Sequence, residues 1–192
     1  MSRTPQPSHP STSGFTLVEL LIVLILVGVL TSIVAPMLSP GRWRADSAVQ
    51  EVVMSLNGAQ RLAVLRQHDV VITFLTDERQ LRLHQDRNND RNMDPDEDVR
   101  VVELPETMGF GLGSATAIGG FTGSVSFESE DDGPTVVFHR NGSASESGSA
   151  YLRPLEGSMS IDPEAVRAIT VERATGEVRC FSYRTSAWEA AC

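Results

Sequence analysis

The spacing of apolar residues changes twice along the 192-residue chain, and each change predicts a different element. From Leu20 to Gly41 no charged residue occurs, and Leu20 to Leu30 is an apolar run. Counted from Phe15, about 20 residues precede Pro36, the number a helix needs to cross a bilayer. Pro36, Pro40 and Gly41 then interrupt helical propensity and predict a kink or a short unwound section. Beyond them Val49, Val52, Val53, Leu56, Ala59 and Ala63 recur at helical spacing. They predict an amphipathic helix ending near Gln67. A continuous helix from Phe15 to Arg66 would be about 75–80 Å long at 1.5 Å per residue.

After His68 the pattern shortens to β-like runs at residues 70–75, 81–85, 99–104, 124–128, 135–139, 168–172 and 177–183. Asp77-Glu78-Arg79 supplies a hairpin turn between the first two, and the Gly/Ser/Ala-rich stretches 109–123 and 141–149 predict loops. Helix first and strands afterwards predicts an α+β fold, a long N-terminal helix packed on a mainly antiparallel β-sheet head. The boundaries are residues 15–38 for the membrane half of the helix, 39–67 for its amphipathic half and 68–192 for the head.

Charge narrows the choice of partner. The net charge is −9 and all 16 basic residues are arginine, so general attraction to phosphate backbones is not expected. Arg140, Arg153, Arg167, Arg173 and Arg179 are interspersed with glutamate, and no nucleic-acid partner is expected. His9, His68, His84 and His139 are scattered, no HExxH or GxSxG occurs, and the glycines of residues 109–113 lack phosphate-loop spacing. No catalytic residues and no enzyme activity are expected.

Two features of the head carry candidate chemistry. Cys180 and Cys192 enclose eleven residues, a spacing suited to a disulfide that ties down the chain end in an oxidising compartment. Within residues 86–97, Asp86, Asn88, Asp90, Asn92, Asp94 and Glu97 fall at positions one, three, five, seven, nine and twelve of a calcium loop. Arg91 stands at position six, where a sharp turn wants glycine, and the flanks read as strands. A Ca²⁺ site is one reading and a solvated acidic hairpin loop the other; no further cofactor is expected.

A removed secretory signal fits the N-terminus poorly. The leader MSRTPQPSHPSTSG has one fixed positive charge, Arg3, and the first small residue after the apolar core, Ala35, is followed by Pro36. Instead, Gly14-Phe15-Thr16-Leu17-Val18-Glu19-Leu20 resembles the type IV prepilin signal shared by type IV pilins and pseudopilins. The resemblance implies cleavage after Gly14 by a membrane peptidase, removal of residues 1–14 and N-methylation of Phe15. It implies a single-pass protein of the inner membrane, its N-terminus cytoplasmic before processing and its head periplasmic. Other pilins or pseudopilins are then the partners, through the N-terminal helix, together with the prepilin peptidase and inner-membrane lipid.

Glu19 becomes the fifth mature residue. A carboxylate at the centre of a membrane helix costs about 2.5–3.5 kcal/mol by insertion scales. The helix macrodipole offsets part of that near an N-terminus. The resemblance implies that the amine of a neighbouring subunit's Phe15 supplies the rest, which makes Glu19 an assembly residue.

The resemblance extends into the head. The strand after the helix, the Asp/Asn-rich insert near Asp86, and Arg167-Ala168-Ile169-Thr170-Val171 with Gly176-Glu177-Val178 resemble the GspH/FimT-type minor pseudopilins and minor pilins. It implies a minor pseudopilin of a type II secretion system, a structural subunit of the short periplasmic pseudopilus. The alternatives are a minor pilin of a type IV pilus and a DNA-binding minor pilin for DNA uptake.

Overall fold

A computed structural model describes residues 15–34, 40–155 and 162–191. The chain divides into two units, Met1–Ser39 and Pro40–Cys192.

The first unit is helix α1, Leu17–Val34. It is apolar on all sides, and its large side chains from Leu17 to Leu30 are each at least half exposed. A helix apolar all round needs lipid or other helices about it. Among the described residues no helix is long and apolar enough to cross a membrane. Eighteen residues give about 27 Å at 1.5 Å per residue, against a hydrocarbon core about 30 Å thick. Pro36 and the end of the expected 15–38 segment lie outside the described residues, whereas Pro40 and Gly41, also expected to break the helix, open the next one.

The second unit begins with helix α2, Pro40–Arg66. Proline is tolerated there because the first turn has no intrahelical acceptor for its missing N–H. The helix ends where Gln67 turns left-handed at φ 60°, its N–H bonded to Ala63 O at 2.9 Å. Ala45, Ala48, Val49, Val52, Leu56, Ala59 and Ala63 form its buried face. The predicted apolar stripe therefore faces the core, except that Val53 lies at its margin, partly buried.

The strands form two five-stranded antiparallel sheets. The first has the order β3-β2-β1-β6-β5, built from β1 (Asp69–Leu75), β2 (Gln80–Asp86), β3 (Val99–Glu103), β5 (Ser129–Glu130) and β6 (Gly133–Phe138). The second has the order β10-β9-β8-β7-β4, built from β4 (Met108–Phe110), β7 (Gly148–Pro154), β8 (Arg167–Val171), β9 (Val178–Arg184) and β10 (Ala187–Ala190). Helix α2 packs against strands of both sheets. Phe74 of β1 joins them in the core, edge-on to Phe110 of β4 at 5.8 Å and stacked on Phe127 at 5.4 Å.

Four strands had no sequence signal, among them β5 with two residues just past the expected run 124–128. β7 is buried over Gly148–Leu152, on both faces, so period-two alternation is missing. β4 has only three residues. β10 returns from β9 through Thr185 and Ser186, both at positive φ, which a tight hairpin needs but which this dipeptide does not announce. Residues 124–128, expected as a strand, contribute one isolated bridge, Val125 to Ala150.

Candidate functional site

At the start of α1, Phe15 is 83% exposed. Thr16 caps the helix: its Oγ1 accepts from the Glu19 N–H at 3.2 Å, and its carbonyl accepts from Leu20 N–H at 3.2 Å. The cap fixes Glu19 in the first turn, where the positive end of the helix dipole lies. Sequence reasoning missed Thr16, although the Thr-x-x-Glu spacing of a capping box signals it. Gly14 lies outside the described residues.

The acidic loop between β2 and β3 is bonded largely to itself. Asp86 is fully buried, and its two oxygens accept from the N–H groups of Asp90 (3.1 Å) and Arg91 (2.9 Å). Asn88 Oδ1 accepts from Asp90 N–H at 3.0 Å, and Asp90 Oδ1 accepts from Asn92 N–H at 2.7 Å. The Asn88 Nδ2 group lies between carboxylates, donating to Asp90 Oδ2 at 3.0 Å and Asp94 Oδ2 at 2.9 Å. Arg91 does take the left-handed conformation, φ 64°, that glycine adopts more readily.

Glu97 is drawn elsewhere. Its carboxylate bonds His84 Nε2 and accepts from Arg87 N–H at 2.6 Å and Asp94 N–H at 3.2 Å. The side chains of His84 and Glu97 are 5% and 2% exposed. Burial pushes the Glu97 carboxyl up, but the bonds from His84, Asp94 and Arg87 outweigh it and hold it at about 2. Of the six expected ligands, Asp86, Asn88, Asp90, Asn92 and Asp94 are thus joined in one hydrogen-bond network, while Glu97 turns to His84. Among the described residues no group of three or more His, Cys, Asp or Glu side chains is placed to hold a metal. Sequence reasoning missed His84 as the partner of Glu97; the β2–β3 register, His84 opposite Val99, brings the two together.

Cys180 is buried on β9 and disulfide-bonded; Cys192 lies outside the described residues. Of the five arginines considered for nucleic acid, Arg167 and Arg179 are held in ion pairs among the described residues. Arg167 is 1% exposed and pairs with Asp46 at 2.7 Å. Arg179 grips Glu177 through two bonds of 2.9 and 2.7 Å.

Among the described residues, helix α2 is tied to the head by polar contacts at three points, Arg42, Asp46 and Gln60. Arg42 pairs with Asp162 (2.9 Å) and Glu164 (2.7 Å) beside a 3-10 turn at Pro163–Ala165. Arg167 reaches Asp46 on the next turn of the helix. Gln60 Nε2 donates to Gly142 O (2.7 Å) and Thr175 O (2.8 Å), closing two turns onto the helix. The structure therefore presents an apolar helix with a capped acidic first turn, followed by a head braced onto α2.

Comparison with known proteins agrees with that division of the chain. Residues 10–35 match the prokaryotic N-terminal methylation motif. Pilin-like protein PilA1 of Thermus thermophilus is 35% identical over 92 residues, covering 47% of this chain, and the chain spans 59% of that relative's length. Among solved structures, two of the minor pseudopilin EpsH from the type 2 secretion system of Vibrio cholerae are similar. One has a TM-score of 0.49 at 16% identity, covering 72% of this chain and 97% of EpsH. The other has a TM-score of 0.46 at 17% identity, covering 72% and 94%. Residues 48–175, more than half of the chain, match the type II transport protein GspH. With that match and its N-terminal methylation motif, the chain belongs to the GspH family.

Proposed function

We propose that the protein is a minor pseudopilin of a type II protein secretion apparatus, a structural subunit that does no chemistry. The observation supporting it is the union in one chain of the N-terminal methylation motif at residues 10–35 and the GspH region at residues 48–175. In this reading a prepilin peptidase cuts after Gly14, Phe15 is methylated, and α1 stays in the inner membrane with the head in the periplasm. Neighbouring pseudopilins pack on α1, and the capped Glu19 takes the Phe15 amine of a neighbour. The Cys180–Cys192 disulfide closes the C-terminal hairpin of the periplasmic head.

Deleting the gene should abolish release of type II substrates into the medium while pilus-dependent motility persists. Mass spectrometry of the mature chain should find a methylated Phe15 start, and an intact Met1 in cells with active peptidase would contradict the processing. Glu19→Val should leave cleavage intact and reduce recovery in the filament; normal incorporation would remove the pairing with the Phe15 amine.

The second reading is a minor pilin of a type IV pilus, favoured by the 35% identity to a pilin-like protein over 92 residues. It is chosen if the deletion removes pili and spares secretion.

A further inference from the structure

The two tryptophans of the chain have opposite surroundings. Trp188 on β10 lies against Tyr151 and Tyr183, with ring centroids 5.8 and 5.0 Å away. Its Nε1–H donates to Thr116 O at 2.7 Å. Trp43, in the first turn of α2, is 75% exposed, and its indole takes part in no hydrogen bond or ring contact among the described residues. Nothing in the head needs this ring: the buried face of α2 begins two residues later, at Ala45.

Charge and tether length indicate what covers it. Arg44 beside it is exposed and in no ion pair among the described residues, whereas Arg42 is engaged by Asp162 and Glu164. The acidic groups that line one groove with Trp43 are Asp46 on its own helix and Glu189 on β10; Arg167 holds the first, and Arg184 lines the groove with the second. Eight residues separate Trp43 from the end of α1. Even fully extended, that link keeps the ring within about 30 Å of α1 at 3.3–3.6 Å per residue. An amphipathic ring with a free N–H and an adjacent guanidinium matches the headgroup layer, where tryptophan and basic side chains concentrate next to membrane helices.

We propose that Trp43, with Arg44, is an interfacial anchor that seats the start of α2 in the phospholipid headgroup layer. The inference rests on α1 being a membrane anchor, and the experiment separates the two. The full chain is reconstituted into phosphatidylethanolamine/phosphatidylglycerol vesicles whose acyl chains are brominated near the headgroup, with unbrominated vesicles as reference. Trp43 emission should shift to the blue and be quenched by the brominated lipid. Trp43→Phe should abolish the quenching and Trp188→Phe should keep it; should the latter fail to fold, wild type against Trp43→Phe decides alone.

Vesicle-bound protein whose emission is the same with and without bromine overturns the anchor and leaves the membrane reading intact. A blue shift without quenching that grows with protein concentration overturns it too, placing the ring against a second copy. A chain that does not float with the vesicles overturns the membrane reading, and the anchor with it.

Discussion

Glu19 and Gly176 bear on different ends, the first on the assembly proposed above and the second on the packing of the head. The Thr16 cap uses the Glu19 N–H and leaves the carboxylate at the positive end of α1, where its charge costs least in an apolar surrounding. Glu19 was legible in the sequence through its motif, whereas the Thr16 cap was missed although its contacts are local and its spacing signals them. The importance of Gly176 appears only where the turns meet. Its φ is +63°, and an added Cβ would overlap Gly142 O and Gln60 Nε2, the pair that closes two turns onto α2. Gly176→Ala should lower the stability of the head by about 2–3 kcal/mol in urea unfolding. A loss within the surface range of about 0.5 kcal/mol would mean that the turn adapts.

The loop between β2 and β3 shows how an element departs from its local signature. Its alternate Asp and Asn residues do fold the backbone tightly, but they spend their oxygens on N–H groups and on the Asn88 amide. We infer that hydrogen bonds hold the loop, with Glu97 and His84 closing it over the outer face of the first sheet. The melting temperature of the head should then be the same with millimolar Ca²⁺ and with a chelator, and a rise with Ca²⁺ would show the oxygens regrouping into a cage. The Glu97 carboxyl is lowered from 4.5 to about 2, so its contribution is present above pH 4.5 and is lost as pH falls through about 2. Thermal melts from pH 5 downward should show this acid-dependent loss in the wild type and less of it in Glu97→Gln. Identical profiles would assign the acid sensitivity to other carboxylates.

For the whole molecule, Arg42, Asp46 and Gln60 brace the head at intervals along α2, and the proposed disulfide closes its C-terminal hairpin. Reducing the disulfide proposed for Cys180 and Cys192 should cost about 2–3 kcal/mol for a loop of this length, seen as a lower melting temperature with reductant. A Cys192→Ser variant should melt like the reduced protein; an unchanged wild-type melt under full reduction would remove the brace. Sequence alone determined α1, the buried stripe of α2, the α+β order and the assembly role expected of Phe15 and Glu19. Those features rest on hydrophobic period and on short motifs, which act between residues a turn or a strand apart. Only the tertiary structure decided the split into two sheets and the strands β4, β5, β7 and β10. It also set the pairs His84–Glu97 and Arg167–Asp46 and made one tryptophan a packed anchor and the other a free ring. Register and covering loops bring such groups together across many residues, and periodicity carries no record of a strand covered on both faces.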